Sequence, residues 1–121
     1  MQIKIKRVYE TPADDDGSRI LVDRLWPRGL TKEKAHVDLW LKEIGPSTEL
    51  RKWFGHEPEK WDAFRKSYLT ELEEKGDLID ILLKRASEGP LTLIYAARDQ
   101  EHNEALVIKR FLEALSQKYD D

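Results

Sequence analysis

LTLIYAA, residues 91–97, decides the fold together with RILV, residues 19–22. Each stretch is a short apolar run of branched and aromatic residues, which is typical of a strand buried on both faces. The long segment between them is patterned as helices, so the two strands require a crossover connection and pair in parallel. We therefore predict an α/β fold, with a small, mostly parallel three- to four-stranded sheet covered by about five helices. We expect a single domain over residues 1–121, in which residues 116–121 form a frayed tail.

The other elements follow from periodicity. IKIKRVYE, residues 3–10, alternates isoleucine and lysine as a half-buried strand does. A helix is predicted over residues 31–44, because Val37, Trp40, Leu41 and Ile44 share one helical face. Further helices are predicted after the caps Ser47, Asp77 and Asp99, and another over the stripe Trp61, Phe64, Tyr68 and Leu72. In the helix after Asp77, the residues expected to face inward are Leu78, Ile81 and Leu82. In the helix after Asp99, they are Ala105, Ile108, Leu112 and Leu115.

Composition excludes several classes of protein. The chain has 121 residues, 37% charged, with a formal net charge of -3, so it is no polycation for nucleic acid. Cysteine is absent, which removes disulfides, thiolate nucleophiles and cysteine-ligated metals. No apolar run is long enough for a membrane span and no secretory signal is recognisable, so we expect a cytoplasmic protein without a membrane partner.

In a parallel sheet, ligands bind beyond the carboxyl ends of the strands. The first strand end, within LVDRLWPRG at residues 21–29, presents Asp23, Arg24, Trp26 and Arg28. Guanidinium groups bind phosphate or carboxylate bidentately, and an indole can stack on a planar ligand. The structural alternative is that Arg24 forms an ion pair and Trp26 belongs to the core.

The second strand end, within LIYAARDQEHN at residues 93–103, presents Tyr95, Arg98, Asp99, His102 and Asn103. A strand–loop–helix junction favours anions through its backbone N–H groups, and a histidine there can transfer a proton. Asp99 as a plain helix cap and His102 as an exposed polar residue are the structural alternatives. If the two strands are neighbours, both sets of residues converge on one cleft.

A third segment, ELRKWFGHEPEKW at residues 49–61, can form a lid that delivers Arg51, Trp53 or His56 to that cleft. Core packing of its aromatic residues is the alternative.

Common catalytic patterns are missing. The sequence contains no nucleotide-binding glycine motif, zinc-protease motif or nucleophile elbow, and its three histidines lack metal-ligand spacing. We therefore predict neither a metal nor a cofactor. Asp23, Asp99 and His102 are the candidates for proton transfer, as in a hydrolase.

LVDRLWPRG, LWLKEIGPS, ELRKWFGHEPEKW and LIYAARDQEHNEA together resemble the YeaO-like branch of a bacterial family, domain of unknown function 488. The resemblance runs from Arg7 to about Leu115 and implies no established activity. Longer relatives carry an Asp-Val-Arg element similar to Val22-Asp23-Arg24 and a cysteine- and histidine-containing motif whose counterpart is residues 96–103. This chain has alanines at the cysteine-like positions Ala96 and Ala97, and Asn103 follows His102 where the relatives have a cysteine, so the resemblance does not carry thiol or metal chemistry over.

Two kinds of function remain open. In the first, the arginines bind a small anionic ligand or nucleotide, with or without hydrolysis. In the second, the chain is a non-enzymatic module that binds a protein through exposed Trp53, Phe54 and Trp61, or a single-stranded nucleic acid through its arginines and Trp26. Buried tryptophans beside an arginine-lined pocket favour the first, and an apolar surface patch favours the second.

Overall fold

The computed structural model describes the backbone of residues 1–120 and the side chains of residues 1–117. Its sheet has four strands, β1 (Ile3–Arg7), β2 (Ser18–Leu21), β3 (Leu39–Trp40) and β4 (Leu91–Tyr95), in the order β1-β4-β2-β3. All three pairings are parallel. The predicted α/β class and the parallel pairing of the two buried strands are confirmed.

Within residues 1–120, five helices connect and cover the strands: α1 (Lys32–Ala35), α2 (Thr48–Phe54), α3 (Trp61–Glu73), α4 (Gly76–Glu88) and α5 (Glu104–Asp120). Short 3-10 turns lie at Asp14–Asp16, Lys42–Ile44 and Pro58–Lys60. Along the described chain no helix combines the length and apolar character that a membrane crossing requires.

The main core lies between one face of the sheet and the helices α2 to α5. The sheet contributes Ile20, Val22, Leu91 and Leu93, all fully buried. The helices contribute Phe54, Phe64, Tyr68, Leu72, Leu82, Ile108 and Leu112. The helical stripes predicted from Trp61 to Leu72 and from Ala105 to Leu112 therefore face the core.

The opposite face of the sheet is covered by α1 and the loops around it. Leu21 and Ile94 pack there with Val8 and Ala35 in a second, smaller cluster. Strand residues alternate between the two faces, so the continuous apolar runs of β2 and β4 serve both clusters.

The helix predicted over residues 31–44 is wrong beyond its first turn. Residues 32–35 are α-helical and residues 42–44 form a 3-10 turn, whereas Leu39 and Trp40 pair with Ile20 and Leu21 as β3. Asp38 completes this junction, because its N–H donates to the carbonyl of Arg19 and its carboxylate accepts from the N–H of Arg19. The apolar spacing matches a helix, but pairing with a buried strand satisfies the backbone of these residues instead.

Three boundary predictions are also corrected. The residue preceding α4 is Lys75 rather than Asp77, and Ile81 is exposed whereas Ile79 is buried. α5 begins at Glu104, five residues after the predicted cap Asp99. The backbone of α5 is helical through Asp120, and Asp121 lies outside the described residues; the frayed tail over residues 116–121 stays a prediction.

Candidate ligand-binding pocket

A cavity of about 400 Å³ opens at the carboxyl ends of β1, β2 and β4. The residues that follow these strands, Tyr9, Asp23 and Ala96, all line it. This is the edge at which parallel α/β sheets bind ligands, and the volume is in the range of small-molecule sites. The full lining is Tyr9, Asp23, Arg24, Leu25, Trp26, Pro27, Arg28, Pro46, Arg51, Phe54, His56, Phe64, Ala96, Ala97, His102 and Glu104.

The structure brings together residues from all three of the segments that sequence analysis selected. Those lining the cavity are Asp23, Arg24, Trp26 and Arg28 after β2, Arg51 and His56 of the predicted lid, and His102 before α5. β4 lies between β1 and β2, so the ends of β2 and β4 are direct neighbours. This adjacency is why the two sets of residues meet.

The other predicted site residues, Trp53, Tyr95, Arg98, Asp99 and Asn103, do not line the cavity. Tyr95 and Asn103 are buried in the fold, at 2% and 1% exposure. Trp53 points to solvent under the Lys60 ammonium, and Arg98 is exposed on the loop after β4. Asp99 acts on the pocket only through His102.

Arg24 is held by the backbone of the loop before α2. Its Nε donates to the carbonyl of Pro46 and its Nη2 to that of Gly45, both at 3.0 Å. Glu43 lies 3.6 Å from its Nη1. Arg24 is therefore held by two backbone hydrogen bonds and an acidic neighbour, which favours a structural role for this residue.

Arg51 differs from Arg24 in having no partner. It is half-buried on α2, and its Nε is buried without a hydrogen-bond partner among the described residues. Within the same part of the chain its terminal nitrogens form neither a hydrogen bond nor an ion pair with protein. An unsatisfied buried donor costs about 1–3 kcal/mol, and a ligand anion beside the guanidinium would offset part of that cost.

The mouth of the pocket is built by the loop after β2. Trp26 is fixed by a 2.7 Å hydrogen bond from its Nε1 to the carbonyl of Leu30 and by an edge-to-face contact with Trp40. The hydroxyl of Tyr9 donates to the carbonyl of Arg28, whose side chain is exposed. These two hydrogen bonds fix the loop, which presents Arg28 at the rim of the pocket.

Asp23 has the most perturbed environment in the site. Its Oδ2 accepts from the N–H of Ala96 at 2.9 Å, whereas its Oδ1 is buried without a partner among the described residues. Burial, followed by the charge and hydrogen bond of Glu104, raises the pKa of Asp23 to about 10. The raised pKa favours the protonated form of Asp23 at neutral pH.

His102 is oriented by two contacts. Its Nδ1 lies 2.8 Å from Oδ2 of Asp99, and its ring makes an edge-to-face contact with Trp61. Oδ1 of Asp99 accepts from the N–H groups of Glu101 and His102. The bond from Glu101 is the main cause that lowers the pKa of Asp99, and the bonds from His102 lower it further. An ionised Asp99 favours the Nδ1–H tautomer and leaves Nε2 as the acceptor.

The lining carries the three arginines Arg24, Arg28 and Arg51 against two carboxyl groups, and Asp23 is held neutral. The pocket therefore has excess positive charge in a chain whose formal net charge is -3. No group of three His, Asp or Glu side chains in the described part of the chain is arranged to hold a metal ion.

Sequence reasoning missed Glu104 and most of the apolar lining. Glu104 gives no local signal beyond being an acid in the first turn of a helix, a common and purely structural placement. Phe54 and Phe64 follow helical spacing and look like core residues, which they also are. Leu25 and Tyr9 are ordinary loop residues in sequence, and only the fold brings them to the rim.

Comparison with known proteins shows similarity over nearly the entire length of the chain. A family model described as the inactive DUF488-N3 subclade matches residues 2–121. The chain is 47% identical over 115 residues to the uncharacterised protein YeaO of Escherichia coli strain K12, which covers 95% of this chain and 100% of that protein. It is 38% identical over 111 residues to the uncharacterised protein Rv3073c of Mycobacterium tuberculosis strain H37Rv, which covers 92% of this chain and 93% of that protein. No solved structure matches significantly.

Proposed function

Given that the chain belongs to the family described as the inactive DUF488-N3 subclade, we propose that it binds a small anionic ligand in the pocket at the strand ends and does not turn it over. The anionic group is a phosphate or a carboxylate, and Arg51 is its principal partner. Arg28 contributes from the rim. Arg24 acts mainly by holding the loop that precedes α2.

The observation that carries this proposal is the unpartnered guanidinium of Arg51. Buried arginine donors are normally paired, and this one lines a concave cavity instead. The neutral state of Asp23 supports the same conclusion, because an ionised carboxylate at that position would repel an anion.

The two acid–base groups of the site are also compatible with hydrolysis, because Nε2 of His102 can accept a proton and Asp23 can donate one. The word "inactive" in the family description favours binding without hydrolysis. We also propose a cytoplasmic location, as expected from the sequence.

The alternative of a protein-binding module has one observation in its favour, the 46% exposure of Trp53. Phe54 is buried and Trp61 is half-buried against it, so the three residues do not form one exposed patch. This arrangement makes the pocket the better-supported site.

Thermal unfolding with added inorganic phosphate, acetate, benzoate, phenyl phosphate and AMP tests the proposal. At a concentration about tenfold above Kd, a bound ligand stabilises the folded state by about 1.4 kcal/mol, which raises Tm by several degrees. We expect at least one of these anions to do so, with no release of phosphate from phenyl phosphate or AMP.

Arg51→Gln should weaken binding about 10- to 100-fold, because a charge-assisted hydrogen bond is lost. Arg85→Gln is the matched control, since Arg85 is a half-buried arginine on α4 that does not line the pocket. If no anion raises Tm, or if the two variants weaken binding equally, the proposal is wrong. Catalytic release of phosphate would contradict the absence of turnover.

A further inference from the structure

We propose that the ligand of this pocket carries its anionic group on an aromatic ring system, as an aryl phosphate or an aryl carboxylate does. This inference rests on the proposed function, because it identifies the body of the ligand whose anionic group Arg51 binds.

The first observation is the concentration of rings around the cavity. Six of its sixteen lining residues carry an aromatic ring, namely Tyr9, Trp26, Phe54, His56, Phe64 and His102. Phe54 and Phe64, which both line the cavity, are stacked with ring centroids 4.4 Å apart. Rings bind other rings by offset stacking and edge-to-face contact, so this lining suits a flat ligand body.

The second observation concerns apolar side chains that the fold leaves exposed. Leu25 is 59% exposed and Tyr9 is 46% exposed, and both line the mouth of the pocket. Leu25 packs in neither core cluster. An exposed leucine on its own is common, but here it lies at the rim of a cavity whose inner wall is also apolar. A ligand with an apolar body would bury it.

The third observation is the shortage of neutral polar groups. Across the described residues that line the cavity, none is Ser, Thr, Asn or Gln. The hydroxyl of Tyr9 already donates to the carbonyl of Arg28 at 3.1 Å. A sugar phosphate would bring several hydroxyl groups that need such partners, and leaving them unsatisfied would weaken binding. The lining therefore favours an aromatic body over a polyhydroxylated one.

Matched pairs of probes test this inference, each with the same anionic group and with or without a ring. Phenyl phosphate is compared with inorganic phosphate and glycerol 3-phosphate, and benzoate with acetate, by isothermal titration calorimetry. We expect the aryl member of at least one pair to bind at least tenfold more tightly. AMP is titrated alongside and should bind more weakly than phenyl phosphate, because the lining offers few partners for its ribose hydroxyl groups.

Leu25→Ser tests the rim. Because Leu25 is exposed and outside both cores, this variant should fold, lose about threefold to tenfold of its affinity for the aryl probe and retain its affinity for the probe without a ring. Ile81→Ser is the control, since Ile81 is an exposed residue of α4 away from the pocket, and it should leave both affinities unchanged.

Equal or tighter binding of the probes without a ring would overturn the inference while leaving the proposed anion site intact. So would a Leu25→Ser variant that binds the aryl probe as the parent does. If none of the anions binds, with or without a ring, the proposed function itself is wrong, and the two failures are thereby distinguished.

Discussion

The protonation state of Asp23 sets the charge of the pocket. Its position after β2 places its carboxyl against the N–H of Ala96, the residue after β4, and beside Glu104 on α5. Sequence analysis selects Asp23 as a candidate for proton transfer, and its side chain lines the pocket. Its neutral state depends on burial and on Glu104, a residue 81 positions away in the chain, so no local pattern could indicate it.

Asp23→Asn should remove a pH dependence from the stability of the protein. Since the pKa of Asp23 is raised from 3.8 to about 10 by folding, its proton stabilises the folded state fully below pH 3.8, and this contribution decreases as the pH rises toward 10. The slope is at most about 1.4 kcal/mol per pH unit. Asparagine is neutral throughout and keeps the acceptor for the N–H of Ala96.

Urea unfolding at pH 5, 7 and 9 measures this effect. The variant should gain stability relative to the parent as the pH rises, whereas Asp80→Asn, a change at an exposed acid of α4, should not. A difference between variant and parent that stays constant from pH 5 to 9 would contradict the raised pKa.

At the scale of elements, the start of α5 decides which polar side chains reach the pocket. Oδ1 of Asn103 accepts from the N–H of Leu106 at 2.9 Å, and its Nδ2 donates to the carbonyl of Asp99 at 3.0 Å. Asn103 is therefore the helix cap, and the predicted cap Asp99 instead orders the preceding turn and orients His102. Asparagine and aspartate are about equally favoured at helix N-caps, so the sequence alone does not show which of the two residues caps α5.

Asn103→Ala should destabilise the protein by about 1–2 kcal/mol, because a helix cap is lost in a side chain that is 1% exposed. Asp99→Ala should cost less, since its bonds lie in a half-exposed turn outside the helix. Urea denaturation of both variants compares them directly. The reverse order of stabilities would mean that α5 effectively begins at Asp99.

At the scale of the whole molecule, a buried ion pair lies on the face of the sheet that α1 covers, whereas the ligand pocket lies at the carboxyl ends of the strands. Arg19, 4% exposed, donates to Asp16, 2% exposed, and to the carbonyls of Ala35 and His36. Lys6 also donates to Asp16 at 3.1 Å. These bonds tie β1, β2 and α1 together on the face that the long helices leave uncovered.

Asp16→Ala should destabilise the protein by about 3–5 kcal/mol, because it leaves the Arg19 guanidinium buried without its carboxylate. Burial alone would raise the pKa of Asp16, but the bonds from Ala13, Lys6 and Arg19 outweigh it and lower the pKa to about 2. The ion pair therefore stabilises the fold fully above pH 3.8, and this contribution is lost as the pH falls through about 2. Asp14→Ala, a change at an exposed neighbour, is the control in denaturation at pH 7.

The elements that could be predicted are those whose signal is local. The apolar runs of β2 and β4, the cap of α2 at Ser47 and the stripe of α3 are all readable from neighbouring residues. The prediction of a helix at Leu39 and Trp40 is wrong, because their spacing fits a helix and only backbone pairing with β2 makes a strand more favourable. The apolar lining of the pocket likewise gives no local signal, because only the fold brings its residues together.

The sequence by itself determined the α/β class and the parallel orientation of β2 and β4, because apolar runs, turns and crossover length are properties of the chain. That the two strands are direct neighbours follows only from the sheet order. The tertiary structure alone decided which polar groups are free to bind. Arg24 uses its donors on the carbonyls of Gly45 and Pro46, whereas Arg51 reaches the cavity with none of its donors bonded to the described protein. The two arginines are chemically alike, and what separates them is the set of neighbours that folding brings within hydrogen-bonding distance.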